Sequence, residues 1–383
     1  MKLKEHPDIY CRFPVTIGWV ILLAGNTICF LFFMKVNNTN IFYVSNMAFV
    51  LSILFFLLGS FQFYKNREHL KSKALLVISS ILMILVISDF YIILFRYDTS
   101  GPGGPVLTHK NWYNRFVENN ELGFWERSVK EFENKNDRII IAAIGDSFTW
   151  GQGIKGKRYR FTERLERKLN QTGLQKNVLV LNFGNGGEST SSEINIIRTY
   201  LPKIKPDIVF LCYLSNDIRP DDLLINKSIY YSFIDRITQI SPTINFFYWK
   251  LIGPLKYRDY GVRYFVNIIE SYRNAQSLNE HINEIGVCID EIKKLAATPI
   301  FVFMPFPQMW EIFRKDIRDL VYSEIRTAVK LTGTPIIDLT HMEKEYSTIE
   351  FQVNSMDAHP NEKMHEIFAE TIYKWIIRNA LIS

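Results

Sequence analysis

Three stretches of this chain, 14–34, 42–64 and 74–95, each run for more than 18 residues without a lysine or arginine. No other feature constrains folding as strongly. At about 1.5 Å per helical residue, each covers roughly the 30 Å hydrocarbon core of a bilayer. A helix satisfies its own backbone polar groups there, so the sequence predicts three transmembrane helices. The first stretch is too long for a signal-peptide core. It ends in CFLFFMK rather than at a small-residue cleavage site, and so reads as a retained span.

Basic residues orient the spans. Lys2, Lys4 and Arg12 precede the first, and Lys65, Arg67, Lys71 and Lys73 fill the second loop. The first loop carries only Lys35, and the exit from the third span only Arg96. This alternation predicts a multi-pass membrane protein with a cytoplasmic N-terminus. Everything after residue 96 then lies outside, periplasmic or extracellular. Much of the net charge of +6 belongs to these flanks, where it faces anionic lipid. No basic stripe with interleaved aromatics follows, so the bilayer, not nucleic acid, is the expected partner. Asp89 sits inside the third span and reads as a polar contact with Asn26, Asn46 or Ser79 in a three-helix cluster; a functional role is the alternative.

Residues 97–137 form a Gly/Pro-containing linker (YDTSGPGGPVLTHK at its start) and a lead-in. From 138 to 383, short β-branched runs alternate with amphipathic ones. The runs are 138–144, 177–183, 207–214, 299–304 and 335–339, with helical patterns at about 157–172, 188–204, 279–297, 308–331 and 361–380. Unbroken apolar strands separated by helices predict an α/β domain, a three-layer sandwich around a parallel sheet, with its site at the carboxyl ends of the strands. An aromatic-rich insertion at about 218–275 interrupts the rhythm. It reads either as a lid or membrane-facing cap, or as a helical subdomain packing its own aromatics. Cys212 falls in a strand pattern and Cys288 in a helical one, both as core residues. His109, His281, His341 and His365 read as surface histidines without a role.

Four polar clusters end strands. RIIIAAIGDS puts Ser147 immediately past the first, where Asp146 structures the turn. NFGNGGEST (182–190) offers flexible backbone after the second, and LSND (214–217) places the neutral donor Asn216 after the third. MDAHPN (356–361) brings Asp357 and His359 ahead of the C-terminal helix, and reads as a helix start with its proline at the first helical position. The GxGxxG match at 151–156 begins seven residues beyond Ile144, has no acid ending the second strand and lacks the GK[ST] of a phosphate loop. No nucleotide cofactor is expected from it. A serine, a glycine loop, an amide and a histidine with a carboxylate converge on one sheet edge.

These blocks resemble those of the SGNH hydrolases, also called the GDSL esterase/lipase family. GDSFTWG is similar to the first block, with Phe148 where leucine is common. NFGNGGEST is similar to the second, with the family's oxyanion glycine at Gly187. LSND is similar to the third, with Leu214 in place of glycine, and DAHPN to the last. Asp357 and His359 are separated by one residue where the family often has two, so a backbone carbonyl is an alternative partner for the imidazole. The resemblance covers about 120–380, including NNELGFWERS. It implies a flavodoxin-like sheet and acyl-enzyme chemistry, with catalytic Ser147, His359 and Asp357 and an oxyanion hole from Ser147, Gly187 and Asn216. It implies neither cofactor nor metal. The expected substrates are acylated envelope glycans, lipids or small esters. An envelope O-acyltransferase uses the same residues and is the alternative enzyme. An inactive membrane-anchored binding or scaffold module is the alternative of another class.

Overall fold

The computed structural model describes residues 57, 60, 61, 64, 65, 70–97, 99, 106–132, 138–218, 233–306, 315–346, 348–355 and 357–382, with some side chains inside helices left out. The stretch 14–34 and nearly all of 42–64 lie outside these residues. The third stretch coincides with helix α1, Leu70–Phe95. Several of its side chains are outside the described set, and among the described residues no helix is long and apolar enough to cross a membrane.

Helix α2, Leu107–Phe116, follows inside the segment expected to be linker. It forms there because Leu107 and Trp112 find a core. Trp112 packs edge-on against Trp125 and Trp150, and its indole N–H donates to the Ile154 carbonyl at 2.9 Å. The α/β unit then runs β1 (Arg138–Gly145), α3 (Ser147–Trp150), α4 (Phe161–Asn170), β2 (Asn177–Asn182), α5 (Thr190–Ile204) and β3 (Ile208–Tyr213). The insertion contributes α6 (Phe233–Ile237), α7 (Pro242–Leu251) and α8 (Gly253–Arg273). After it come α9 (Ala275–Lys294), β4 (Thr298–Phe303), α10 (Lys315–Leu331) and β5 (Ile336–Asp338). A hairpin of β6 (Gln352–Asn354) and β7 (Asp357–Pro360) precedes α11 (Glu362–Arg378).

The five main strands form one parallel sheet in the order β2-β1-β3-β4-β5, the flavodoxin-like arrangement. All six β3 positions are buried, so the sheet is covered on both faces. The helical cover comes from α4 packed on α11 and α5 packed on α9. Parallel pairing brings every strand's carboxyl end to one edge. The order reverses beside β1, where a crevice opens between the loops following β1 and β3. Cys212 and Cys288 are buried and free, as their strand and helix patterns predict.

Two expectations change. His281 and His365 are buried, not on the surface: His281 lies 3.0 Å from the Tyr213 hydroxyl, and His365 stacks on Phe161. Pro360 is not the first helical residue but ends β7, and Asn361 caps α11 by accepting from Lys363 N and Met364 N. Among the described residues Asp89 meets the insertion. It accepts from the Ser241 hydroxyl and from the Thr243 amide, both at 2.7 Å; Asn26, Asn46 and the side chain of Ser79 lie outside the described residues.

Candidate active site

Ser147 stands directly after β1 as the first residue of α3, a single helical turn. Asp146 caps that turn by accepting from Phe148 N at 2.9 Å. The serine is thereby held at the sheet edge, largely buried at 8% exposure. The loop after β2 lies flush against the turn. A side chain at Gly184 would run into the backbone of Thr149 and Trp150, so only glycine allows this approach. Further along this loop Gly187 adopts a left-handed φ of 88°, on the exposed side of the crevice.

His359 approaches from the hairpin. Its Nε2 lies 2.8 Å from Ser147 Oγ, and its Nδ1 lies 2.5 Å from Asp357 Oδ1. With the carboxylate accepting from Nδ1–H, Nε2 is left as the acceptor for the serine hydroxyl. The alternative hydroxyl partner, Asp146 Oδ2, is 3.4 Å away and competes poorly. The same Asp357 oxygen accepts from the backbone N–H of His359 at 3.1 Å. No backbone carbonyl is needed to orient the ring. β7 is extended, so Asp357 and His359 point to one face of the strand despite being separated by a single residue.

The electrostatics follow from burial and pairing. Burial disfavours charge on His359, but the Asp357 charge and hydrogen bond, with Asp146 beyond, outweigh it and raise the imidazole above its usual pKa. Burial pushes Asp357 up, and the His359 charge and hydrogen bonds overcome it, leaving the carboxyl below its ordinary range.

Asn216 sits in a tight turn after β3. Leu214 N donates to Asp217 Oδ2 at 2.7 Å, and Asp217 N returns to the Leu214 carbonyl at 3.0 Å. The Asn216 amide reaches to 3.4 Å from Asp146 Oδ2, the carboxylate oxygen that Ser147 also approaches. Tyr272 of α8 braces the turn by donating to the Ser215 carbonyl at 2.9 Å. Ser147, Asp357, His359 and Asn216 thus meet at one point, with Gly187 on the adjoining loop. Among the described residues no group of His, Cys, Asp or Glu is arranged to hold a metal ion.

Several neighbours of the site were given no role there from the sequence. Phe148 lies against His359 at 5.3 Å and edge-on to Phe306, which touches Phe265 of the insertion. Thr99 is buried beside Asp357 and depresses its pKa, although neither Thr99 Oγ1 nor Asp357 Oδ2 has a hydrogen bond of ordinary geometry. His109 of α2 also senses the Asp357 and His359 charges; burial, the larger effect, lowers its pKa.

Residues 143–367 match the model of the GDSL-like lipase/acylhydrolase family. Among solved structures, the chain is similar to TesA at 11% identity and a TM-score of 0.40, covering 62% of this chain and 97% of that one. It is similar to the psychrotrophic esterase EstA from Pseudoalteromonas sp. at 11% identity and a TM-score of 0.40, with 63% and 98% covered. The lipase/acylhydrolase from Enterococcus faecalis is 17% identical, with a TM-score of 0.40 and coverage of 63% and 96%. No curated protein matches. The matched residues make up more than half of the chain and contain all four blocks: the chain belongs to the GDSL-like lipase/acylhydrolase family and is a hydrolase of ester bonds.

Proposed function

We propose a membrane-anchored, extracytoplasmic serine esterase that removes acyl groups from an envelope glycan, a lipid or a small ester. The observation that carries the assignment of roles is the continuous chain Ser147 Oγ, His359 Nε2, His359 Nδ1, Asp357 Oδ1. His359 takes the hydroxyl proton as Ser147 Oγ attacks the ester carbonyl. The Ser147 and Gly187 N–H groups and the Asn216 amide receive the oxyanion. Collapse breaks the bond to the alcohol, which leaves with the proton from His359 and an acyl-Ser147 ester behind. Water, deprotonated by the same imidazole, attacks that ester, releases the acid and returns the proton to Ser147. Asp357 fixes the tautomer and stabilises the imidazolium.

Membrane anchoring is supported by the 22-residue stretch 74–95 without Lys or Arg, and by the exposed apolar side of α1 carrying Val77, Ile81, Ile84, Tyr91 and Phe95. The extracytoplasmic side follows from the basic flanks of the spans. Turnover of p-nitrophenyl acetate and longer esters by the full chain in detergent, beside Ser147→Ala, tests the roles. The variant should lose activity by about 10⁴-fold or more. Equal turnover by parent and variant would remove Ser147 from the chemistry.

A further inference from the structure

Asp89 does something unusual for a carboxylate in so apolar a helix. Its Oδ1 accepts from Ser241 Oγ and from Thr243 N, so it caps the start of α7 from another segment of the chain. Ser241 is itself the N-cap, accepting from Ile244 N at 3.2 Å. The carboxylate meets the unsatisfied donors at that helix start, which is how a charge in apolar surroundings is tolerated. α7 is thereby tied to α1, and the two pack against each other. Val86, Asp89 and Ile92 form the buried side of α1.

Both members of this pair also carry exposed apolar residues. On the insertion, Ile244, Phe247 and Leu251 are exposed at the three- and four-residue spacing of one face of α7, and Ile240 just before that helix and Leu255 at the start of α8 are exposed as well. On α1, Ile81, Ile84, Ile87, Tyr91 and Phe95 form a comparable stripe. Basic groups gather where α1 ends: Arg96 and Lys250 both stand 5.0 Å from the Phe246 ring. Asp89 is six residues before Phe95, roughly 9 Å along the helix axis. That matches the 5–10 Å to which interfacial helices sink their apolar faces.

We infer that residues 233–255 are an interfacial membrane element whose apolar face is occupied by acyl chains of the outer leaflet, with Asp89 as the pin that sets its depth. The inference rests on the membrane reading above. Its occupant is lipid because α7 packs on α1, which carries its own exposed apolar stripe, and because Arg96 and Lys250 stand beside it at the end of α1. The active site is then held at the bilayer surface. Thr99, beside Asp357, is only four residues past Phe95, a reach of at most about 14 Å even fully extended.

The test uses the full chain in phosphatidylcholine/phosphatidylglycerol nanodiscs, in a Cys11→Ser, Cys29→Ser background that retains the buried Cys212 and Cys288. A fluorophore is placed at Phe247→Cys, at Ile84→Cys in α1, or at Leu331→Cys at the end of α10, and quenched with doxyl-labelled phosphatidylcholine. Phe247 should be quenched comparably to Ile84, and Leu331 not at all. Asp89→Ala should reduce quenching at Phe247 while leaving Ile84 unchanged, and Asp89→Asn, which keeps the acceptor oxygen, should restore it. Quenching at Ile84 but not at Phe247, or crosslinking of Phe247→Cys to residues 14–64, overturns the inference and leaves the anchor standing. Absence of quenching at both positions removes the anchor and the inference together.

Discussion

Asp357 and His359 illustrate how a single residue of spacing is read differently in sequence and in space. The family pattern made their separation look short. In an extended strand, alternate residues share a face about 6.6 Å apart, within reach of a carboxylate and an imidazole. The pairing raises the imidazole pKa, because the Asp357 charge and hydrogen bond overcome the opposing effect of burial. Only neutral His359 accepts the serine proton, so activity should fall as pH drops through this raised value, placing the acid limb of kcat/KM above 6.5. Asp357→Asn removes the favourable charge and leaves the burial. Its acid limb should move to lower pH, and its rate should fall on the order of 10⁴-fold. An unmoved limb in the pH profile would mean that Asp357 does not set the imidazole's charge state.

At the scale of elements, the strands of the main sheet were legible because β-branched runs such as RIIIAAI and DIVFLCYL have no competing periodicity. The nucleophile turn, the glycine loop and the Asn216 turn were legible for a related reason: each sits where such a run stops. The β6–β7 hairpin was not, since three- and four-residue strands carry too little pattern, and proline before a helix imitates a helix start. His281 and His365 were misjudged because their burial depends on partners distant in sequence, Tyr213 and Phe161. The close approach at Gly184 likewise exists only once β1 and β2 pair. Gly184→Ala should push the second loop off the nucleophile turn and cost about 1–3 kcal/mol, read as a lowered thermal unfolding midpoint in detergent. An unchanged midpoint would show that the contact is not needed for stability.

At the scale of the whole molecule, α2 links the end of the apolar N-terminal quarter to the insertion and to the α/β unit. Asn111 of α2 donates to the Arg96 carbonyl at 3.0 Å, Leu107 N donates to Asn245 Oδ1 at 2.9 Å, and Trp112 joins α2 to the segment following Ser147. The proposed membrane arrangement predicts that a disulfide-dependent reporter fused after Arg96 is active in cells and the same reporter fused after Lys65 is inactive. The reverse pattern would invert the topology.

The central claim is that Ser147 is the nucleophile. Treating the full chain with a fluorophosphonate and mapping the adduct by mass spectrometry reads this directly, since the reagent forms its covalent bond only with an activated hydroxyl. One adduct is expected, on the peptide containing Ser147, and its formation should be greatly slowed in His359→Ala. An adduct on another serine, or labelling of Ser147 that is unaffected by loss of His359, would contradict it.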